Sequence, residues 1–578
     1  MDANPTLNTT LISTAPPGRR SDAAFAPLAI ILIGITVLAM GRLCFNSFVN
    51  WDDYYTLCQN PRLNPPTFAT LQYYWSHPDA RIYIPLTETV WTALAVIAQV
   101  ATDHRGSGLD PMVFHCANVL CHILAVLVVC RILLLLRMSR FAALCGSLVF
   151  ALHPLQVESV AWASGLKDVL SGLLALAALW QYLQFAVDAR DGKRAWDRLL
   201  LAVMLLTLAM LAKPTAATIP MAAVALDRFI LGRSWRAVLK SAAVMAAVVG
   251  PLVLFAAKAQ SAGDPTPIWH RPLIASDSLT FYLFKLAWPA NLCMDYGRTP
   301  AVVMHQKLIY WVWLVPGMLG LTLFVLRKRA RTIVAAALVF VAGCLPTLGL
   351  ATFATQYYST TADHYLYWAM LGPAIAVAWV LTQFRSNVLL ARLAIVAIVV
   401  WSLMSIRQGG FWSDNFTLYE HTIAVNPRSF LSYNNLGNAY LDASNFQMAA
   451  SLYRKCIAVN PKMVQPYANL GVALRWLHQL DESSVELRVS IAMQRSLPLT
   501  MRPSWVIALN MLGRNLMESG KPVEAISPLQ ESLAAKPDQP DITALLAMAE
   551  AGKAGPVTSQ ATSLPSEKII AMPAEDQP

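Results

Sequence analysis

Eleven apolar runs dominate the first 407 residues of this 578-residue chain. They fall near 27–47, 112–136, 141–153, 168–187, 197–212, 214–231, 241–259, 307–326, 332–352, 364–384 and 391–407. A run of about 20 apolar residues crosses the hydrocarbon core of a bilayer as one helix. Irregular backbone is excluded there unless protein covers it. The runs therefore predict an all-α, polytopic membrane helix bundle of about eleven spans over 27–407. They also explain the composition, which is 56% hydrophobic and only 13% charged, against roughly a quarter charged in soluble domains. The net charge of +11 is carried by short loops between the runs. No nucleic-acid-binding motif accompanies it.

Those basic loops set an orientation. Arg19 and Arg20 precede the first run. Arg137 and Arg140, then Arg190, Lys193 and Arg194, then Arg233, Arg236 and Lys240 follow in every second loop. Arg327 to Arg331, then Arg385 and Arg392, complete the series. Basic short loops stay in the cytoplasm. Residues 1–26 are thus expected as a disordered cytoplasmic N-terminus, with 48–111, 154–167, 260–306 and 353–363 outside. Segments 82–101 and 275–294 are apolar but fall in those outer loops, so they are expected to lie in the membrane interface. An odd span count also places everything after 407 outside. The nine cysteines show no CxxC or zinc spacing and read as inert buried thiols.

Residues 408–550 are a repeat array. Asn435-Leu436-Gly437 recurs as Asn469-Leu470-Gly471, and Val425-Asn426-Pro427 as Val459-Asn460-Pro461, each after 34 residues. That is the tetratricopeptide (TPR) period. Leu512-Gly513 comes 42 residues after the second copy, and the Gly-to-Pro offset of 24 residues returns in Gly513 to Pro537. Three repeats behind a half repeat at 411–427 are predicted, forming a C-terminal TPR α-solenoid. Residues 551–578 follow as a disordered tail. TPR stacks present a concave surface that binds peptides, although an array that only stabilises the chain would look the same.

Ionisable residues gather at the outer ends of the spans. Asp52 and Asp53 follow the first run. One positioned carboxylate can take a proton from an acceptor hydroxyl while its neighbour orients the acceptor or a cation. Spacing alone equally allows an acidic loop start in water. His153, Glu158, Lys167 and Asp168 lie within sixteen residues, where ionisable groups are functional candidates or fix the helices as ion pairs. Lys213, Arg81 and His364 could meet a lipid phosphate. Trp162, Asp363 and Tyr365 complete the candidate pocket with His153 and Asp168. No Walker loop, GxGxxG turn, HExxH or GxSxG element is present, and no metal is indicated.

The order of these motifs resembles a known family. An Asp-Asp pair is followed by Tyr83-Ile84-Pro85-Leu86-Thr87, then by Phe114-His115 with Asn118 and His122. His153-Pro154 to Asp168, Lys213-Pro214, Asp363-His364-Tyr365 and the TPR tail complete it. From about residue 30 to 540 the chain is similar to the TMTC-type (transmembrane and TPR) protein O-mannosyltransferases and their bacterial relatives, within the GT-C glycosyltransferases. The resemblance implies an acidic residue of the first outer loop as base, which carries over to Asp52 as the first acid of the pair. It also implies a polyprenyl-phosphate sugar as donor and a protein Ser/Thr hydroxyl as acceptor. The chain departs from the pattern at Ile84 and His364, where the family usually has Arg, leaving Arg81 or His364 to compensate.

These readings together predict an inverting membrane glycosyltransferase. It would move mannose or a similar hexose from a polyprenyl-phosphate donor to an extracytoplasmic acceptor. Asp52, Asp53 and Glu158 would be its catalytic acids, and Arg81, Lys167, Lys213 and His364 would meet the donor phosphate. The expected location is the cytoplasmic (inner) membrane with the TPR domain in the periplasm. The partners would be the lipid-linked sugar and an acceptor polypeptide in the TPR groove. A membrane-anchored TPR scaffold for envelope assembly is the rival reading and needs no outward acidic pocket. A transporter would show inverted repeats and midplane charges, which the sequence lacks.

Overall fold

The computed structural model describes residues 17–79, 82–101, 108–259, 266–351, 353–498, 502 and 504–553. Helices account for the ordered secondary structure, and the described residues contain no strand. All eleven apolar runs contain helix. Among the described residues, seven helices are long and apolar enough to cross a membrane: Phe25–Phe45, Pro111–Leu135, Ala163–Arg190, Pro214–Leu231, Trp235–Ala256, Lys307–Leu326 and Val388–Gly410. An eighth span results if Arg140–Leu152 and Pro154–Ala161, bent by 50°, count as one. The other three expected spans are the shorter helices Trp196–Ala212, Arg331–Thr347 and Trp368–Gln383.

Near His153 the helices break into short turns. Pro154 removes a backbone donor and disfavours helix at His153, so the chain bends there. The fragments up to Gly165 are short turns of helix. Backbone left unpaired at that depth needs protein partners, and buried side chains from neighbouring helices supply them. Asn118 donates to the Trp162 carbonyl at 2.6 Å, and Gln156 donates to the Phe150 and Tyr367 carbonyls at 3.1 and 3.2 Å. His122 bridges the Tyr367 hydroxyl and the Ala151 carbonyl, both at 3.0 Å.

The apolar segments 82–101 and 275–294, expected in the outer loops, contain the helices Pro85–Ile97 and Arg271–Ala287. At 1.5 Å per residue, the 13 residues of the first rise about 20 Å, short of the about 30 Å hydrocarbon core. All nine cysteines are free. Cys116 departs from the buried expectation, since it is exposed on the side of its helix.

The tail forms antiparallel helix pairs: Phe430–Asp442 with Phe446–Val459, Gln465–Trp476 with Leu480–Gln494, and Trp505–Glu518 with Pro522–Ala535. Asn415–Val425 precedes them and Pro540–Glu550 follows. The repeated glycine has a steric cause. A Cβ on Gly437 would stand 2.6 Å from the Tyr453 ring, and one on Gly471 2.6 Å from Leu487. Gly513 meets Leu529 in the same way. The later repeats share their own apolar core, including Tyr453, Leu474, Leu487, Leu512 and Leu529.

The half repeat does not stand apart. Trp412, Leu418, Tyr419 and Leu436 belong to the same apolar core as the membrane helices. Asn50, in the first outer loop, is held from the tail by three side chains. Its N–H donates to Asn415 Oδ1 at 2.5 Å, and its carbonyl accepts from the Tyr419 hydroxyl and from Asn435 Nδ2.

Candidate active site

Seven of the candidate residues meet at one cavity of about 570 Å³, within the usual range for ligand pockets. Asp52, Glu158, Trp162, Lys167, Lys213, His364 and Tyr365 all line it.

The two adjacent acids separate. Asp53 has helical backbone angles (φ −57°, ψ −36°), and successive residues on such a turn point about 100° apart. Asp52 faces the cavity, and its Oδ2 pairs with Lys167 Nζ at 3.1 Å. Asp53 turns inward and is fully buried. Its Oδ1 accepts from the Ser164 N–H at 2.8 Å and from the Ser164 hydroxyl at 2.6 Å. Its Oδ2 accepts from the Val49 N–H at 3.1 Å. Burial pushes its carboxyl up to about 6, against these three hydrogen bonds. Asp53 therefore braces the loop against the start of the next span and does not line the cavity.

The basic side chains are each matched by a carboxylate. Lys167 also lies 4.6 Å from the centre of the Trp162 ring. Lys213 Nζ pairs with Asp168 Oδ1 at 2.6 Å. His364 Nδ1 lies 2.8 Å from Glu158 Oε1, and the Asp363 N–H donates to Glu158 Oε2 at 3.0 Å. Asp363 sits behind this pair and accepts from the Tyr296 hydroxyl at 2.9 Å. Burial, reinforced by Glu158, holds its carboxyl well above the usual range. Lys167, Lys213 and His364 thus all stand on the cavity wall, each held by a carboxylate side chain.

Three other expectations fall differently. His153 is buried between the Leu286 carbonyl and the Leu155 N–H, at 3.1 and 3.3 Å. It stays off the cavity wall because it serves the bend at Pro154. Asp168 lies one layer below, where it orients Lys213. Arg81 lies outside the described residues. Ile84, which stands where the resemblance expects Arg, lines the cavity as an apolar side chain.

The sequence also hid some neighbours. Glu88 is buried beside Asp52 and Lys167 in a narrow cleft of about 30 Å³, its Oε2 without a hydrogen-bond partner. Asp295, from the second large outer loop, lines the main cavity. Neither stands in a motif, and only the fold brings them near Asp52. No group of three or more His, Cys, Asp or Glu among the described residues is arranged to hold a metal ion.

The TPR reading has a direct counterpart, since residues 431–460 match the tetratricopeptide repeat family. The chain is 24% identical over 75% of its length to the mouse Protein O-mannosyl-transferase TMTC3, and 22% identical over 72% to the human TMTC3. It is 24% identical over 72% to the Caenorhabditis elegans Protein O-mannosyl-transferase F38B6.6. It covers 51%, 50% and 60% of those proteins respectively, so it spans about half the length of the curated relatives it matches. A solved structure titled "Crystal structure of APC/C hetero-tetramer Cut9-Hcn1" aligns at 14% identity, covering 83% of this chain and 98% of that one, with a TM-score of only 0.24. The curated homologues of this chain, over roughly three quarters of its length, are TMTC-type protein O-mannosyl-transferases.

Proposed function

We propose that the chain is a membrane glycosyltransferase that moves a hexose, in the first instance mannose, from a polyprenyl phosphate to a protein Ser or Thr hydroxyl. The observation that carries the reading is the cavity holding Asp52 among Lys167, Lys213 and His364, in a chain whose homologues are named for O-mannosyl transfer. The active face lies outside the cytoplasm, in the periplasm if the membrane is a bacterial inner one. The lipid carries the sugar across, so no cytosolic nucleotide sugar is required.

The proposed step is a single displacement. The acceptor oxygen attacks the anomeric carbon on the face opposite the phosphate. Asp52 takes the hydroxyl proton as general base. The bond from the anomeric carbon to the phosphate oxygen breaks, and the lipid phosphate leaves with the electron pair. Lys167, Lys213 and His364 balance the charge that develops there, which is where fixed cations act most strongly. Lys167 pairs with Asp52 at 3.1 Å and so holds the base toward the cavity. Glu158 sets His364, and Asp53 sets the loop that carries Asp52.

The test is transfer of sugar from synthetic polyprenyl-phosphate mannose to a Thr-containing peptide by the purified full-length chain, read by mass spectrometry. Product that depends on Asp52 supports the reading. Absence of any product, with other lipid-linked hexoses also inert, favours the TPR scaffold.

A further inference from the structure

A second cavity, of about 1060 Å³, lies between the outer loop of residues 266–310 and the first TPR repeat. His270, Thr299 and Ala301 face it from the loop, and Asn426, Phe430 and Asn460 from the tail. Asp295, Phe353 and Tyr358 line both this groove and the catalytic cavity, so the two adjoin at one wall. Tyr358 marks the junction. Its ring lies 6.3 Å from Trp51, next to Asp52, and 6.5 Å from Phe430 of the first repeat.

The catalytic cavity has a different character on its other side. Val253 and Ala256, from the span Trp235–Ala256, and Leu345 and Leu350 make an apolar wall there. A polyprenyl chain is apolar throughout, and its phosphate must stay near the interface, so it suits this wall. The acceptor is polar and comes from water, so it needs another entrance.

We propose that the groove between the outer loop and the first repeat is the entry path of an extended acceptor polypeptide, which passes Tyr358 to present a Ser or Thr hydroxyl to Asp52. This rests on the glycosyltransferase reading and names the route and form of its acceptor. The groove wall suits a peptide. Asn460 and Gln356 already hold their amide oxygens on the Lys462 and Phe353 N–H groups, at 3.2 and 3.3 Å, and their amide N–H₂ groups can donate to a backbone carbonyl, while Phe430, Leu431 and Val459 offer apolar contact. Such walls contact a backbone more than particular side chains.

The experiment uses the full-length chain in detergent, a fluorescent Thr-containing decapeptide and synthetic polyprenyl-phosphate mannose. Val459→Trp and Ala301→Trp fill the groove from its two sides. Both positions are exposed, so each variant should keep the wild-type melt. The expected result is at least a tenfold rise in peptide Kd and peptide KM for both variants, with kcat and donor KM unchanged. If peptide KM stays put while transfer proceeds, the route is refuted and the glycosyltransferase reading stands. If donor KM rises instead, the groove takes the donor and the proposal fails. If the peptide binds wild type, loses binding in both variants and never receives sugar, the groove binds polypeptide but the reading of this chain as a transferase falls. If wild type neither binds nor modifies the peptide, both fall together.

Discussion

Converting Asp52 and Asp53 separately to Asn divides chemistry from architecture. Asp52→Asn keeps the shape and removes the base, so transfer should fall by about 10² to 10⁴. Its stability cost should stay below the about 3 to 5 kcal/mol of breaking a dry buried ion pair, because Asp52 and Lys167 retain 16% and 10% side-chain exposure at the cavity. Asp53→Asn keeps an oxygen for the two Ser164 donors but turns an N–H₂ toward the Val49 N–H. One buried donor left unmet costs about 1 to 3 kcal/mol, and transfer should drop less than tenfold. The pH dependence gives a second, sharper reading. The Asp53 carboxyl sits at about 6 in the folded chain against an ordinary 3.8. Between those values the folded chain holds a proton that the unfolded chain has released. The stability Asp53 contributes is therefore complete below about pH 4 and is lost as pH rises through 6. The gap corresponds to about 3 kcal/mol, and Asn has no such step. Melting curves of wild type and Asp53→Asn, measured from pH 4 to 7, should differ by a trend of that sign, with the variant gaining on wild type as pH rises. If Asp53→Asn abolishes transfer without altering the melt, while Asp52→Asn stays active, the two roles are reversed. If both retain full activity, the outer carboxylates are structural.

Other expectations test the surroundings. Lys213→Met leaves Asp168 buried without its partner and should cost about 3 to 5 kcal/mol, seen as a lowered melting temperature that Asp168→Asn in the same chain partly restores. Reporter fusions after residues 430 and 480 should behave as exported, and fusions after 192 and 329 as cytosolic; a cytosolic tail would overturn the outward placement of the cavity. Asn435→Ala removes one of two donors to the Asn50 carbonyl and should lower kcat severalfold with donor KM unchanged, whereas equal loss in Ser429→Ala would indicate general loosening of the tail. A fragment from residue 430 to 553 should show helical circular dichroism and one cooperative melt, because its later repeats share an apolar core.

Much of this was readable from the sequence, for definite reasons. Apolar runs and the 34-residue period are local signals, and the helices follow them closely. The block from His153 to Asp168 stood out because ionisable residues are rare among apolar runs. Within it, side-chain direction was not readable. Asp52 and Asp53 are neighbours with identical chemistry, and only the helical turn and the Ser164 donors part them. His153 looked like the pocket residues beside it, yet a bend needing partners for its backbone claims it. Glu88 and Asp295 were missed because their nearness to Asp52 is a product of long-range packing. So was the merging of the half repeat with the membrane core: composition turns polar after Arg407, but Trp412 and Tyr419 pack back into the core of the membrane helices.

The grip of the tail on Asn50 has a consequence for timing. Asn50 lies two residues before Asp52, and its partners Asn415, Tyr419 and Asn435 follow it in the chain by 365, 369 and 385 residues. At about 5 to 20 residues per second of synthesis, roughly 20 to 70 s separate the appearance of the loop from that of the residues that hold it. During that interval the base-bearing loop lacks its outer support while the spans insert one by one. A nascent chain would therefore carry every cavity residue before the loop gains its support from the tail, and that support is complete only once the first repeat has folded against Asn50.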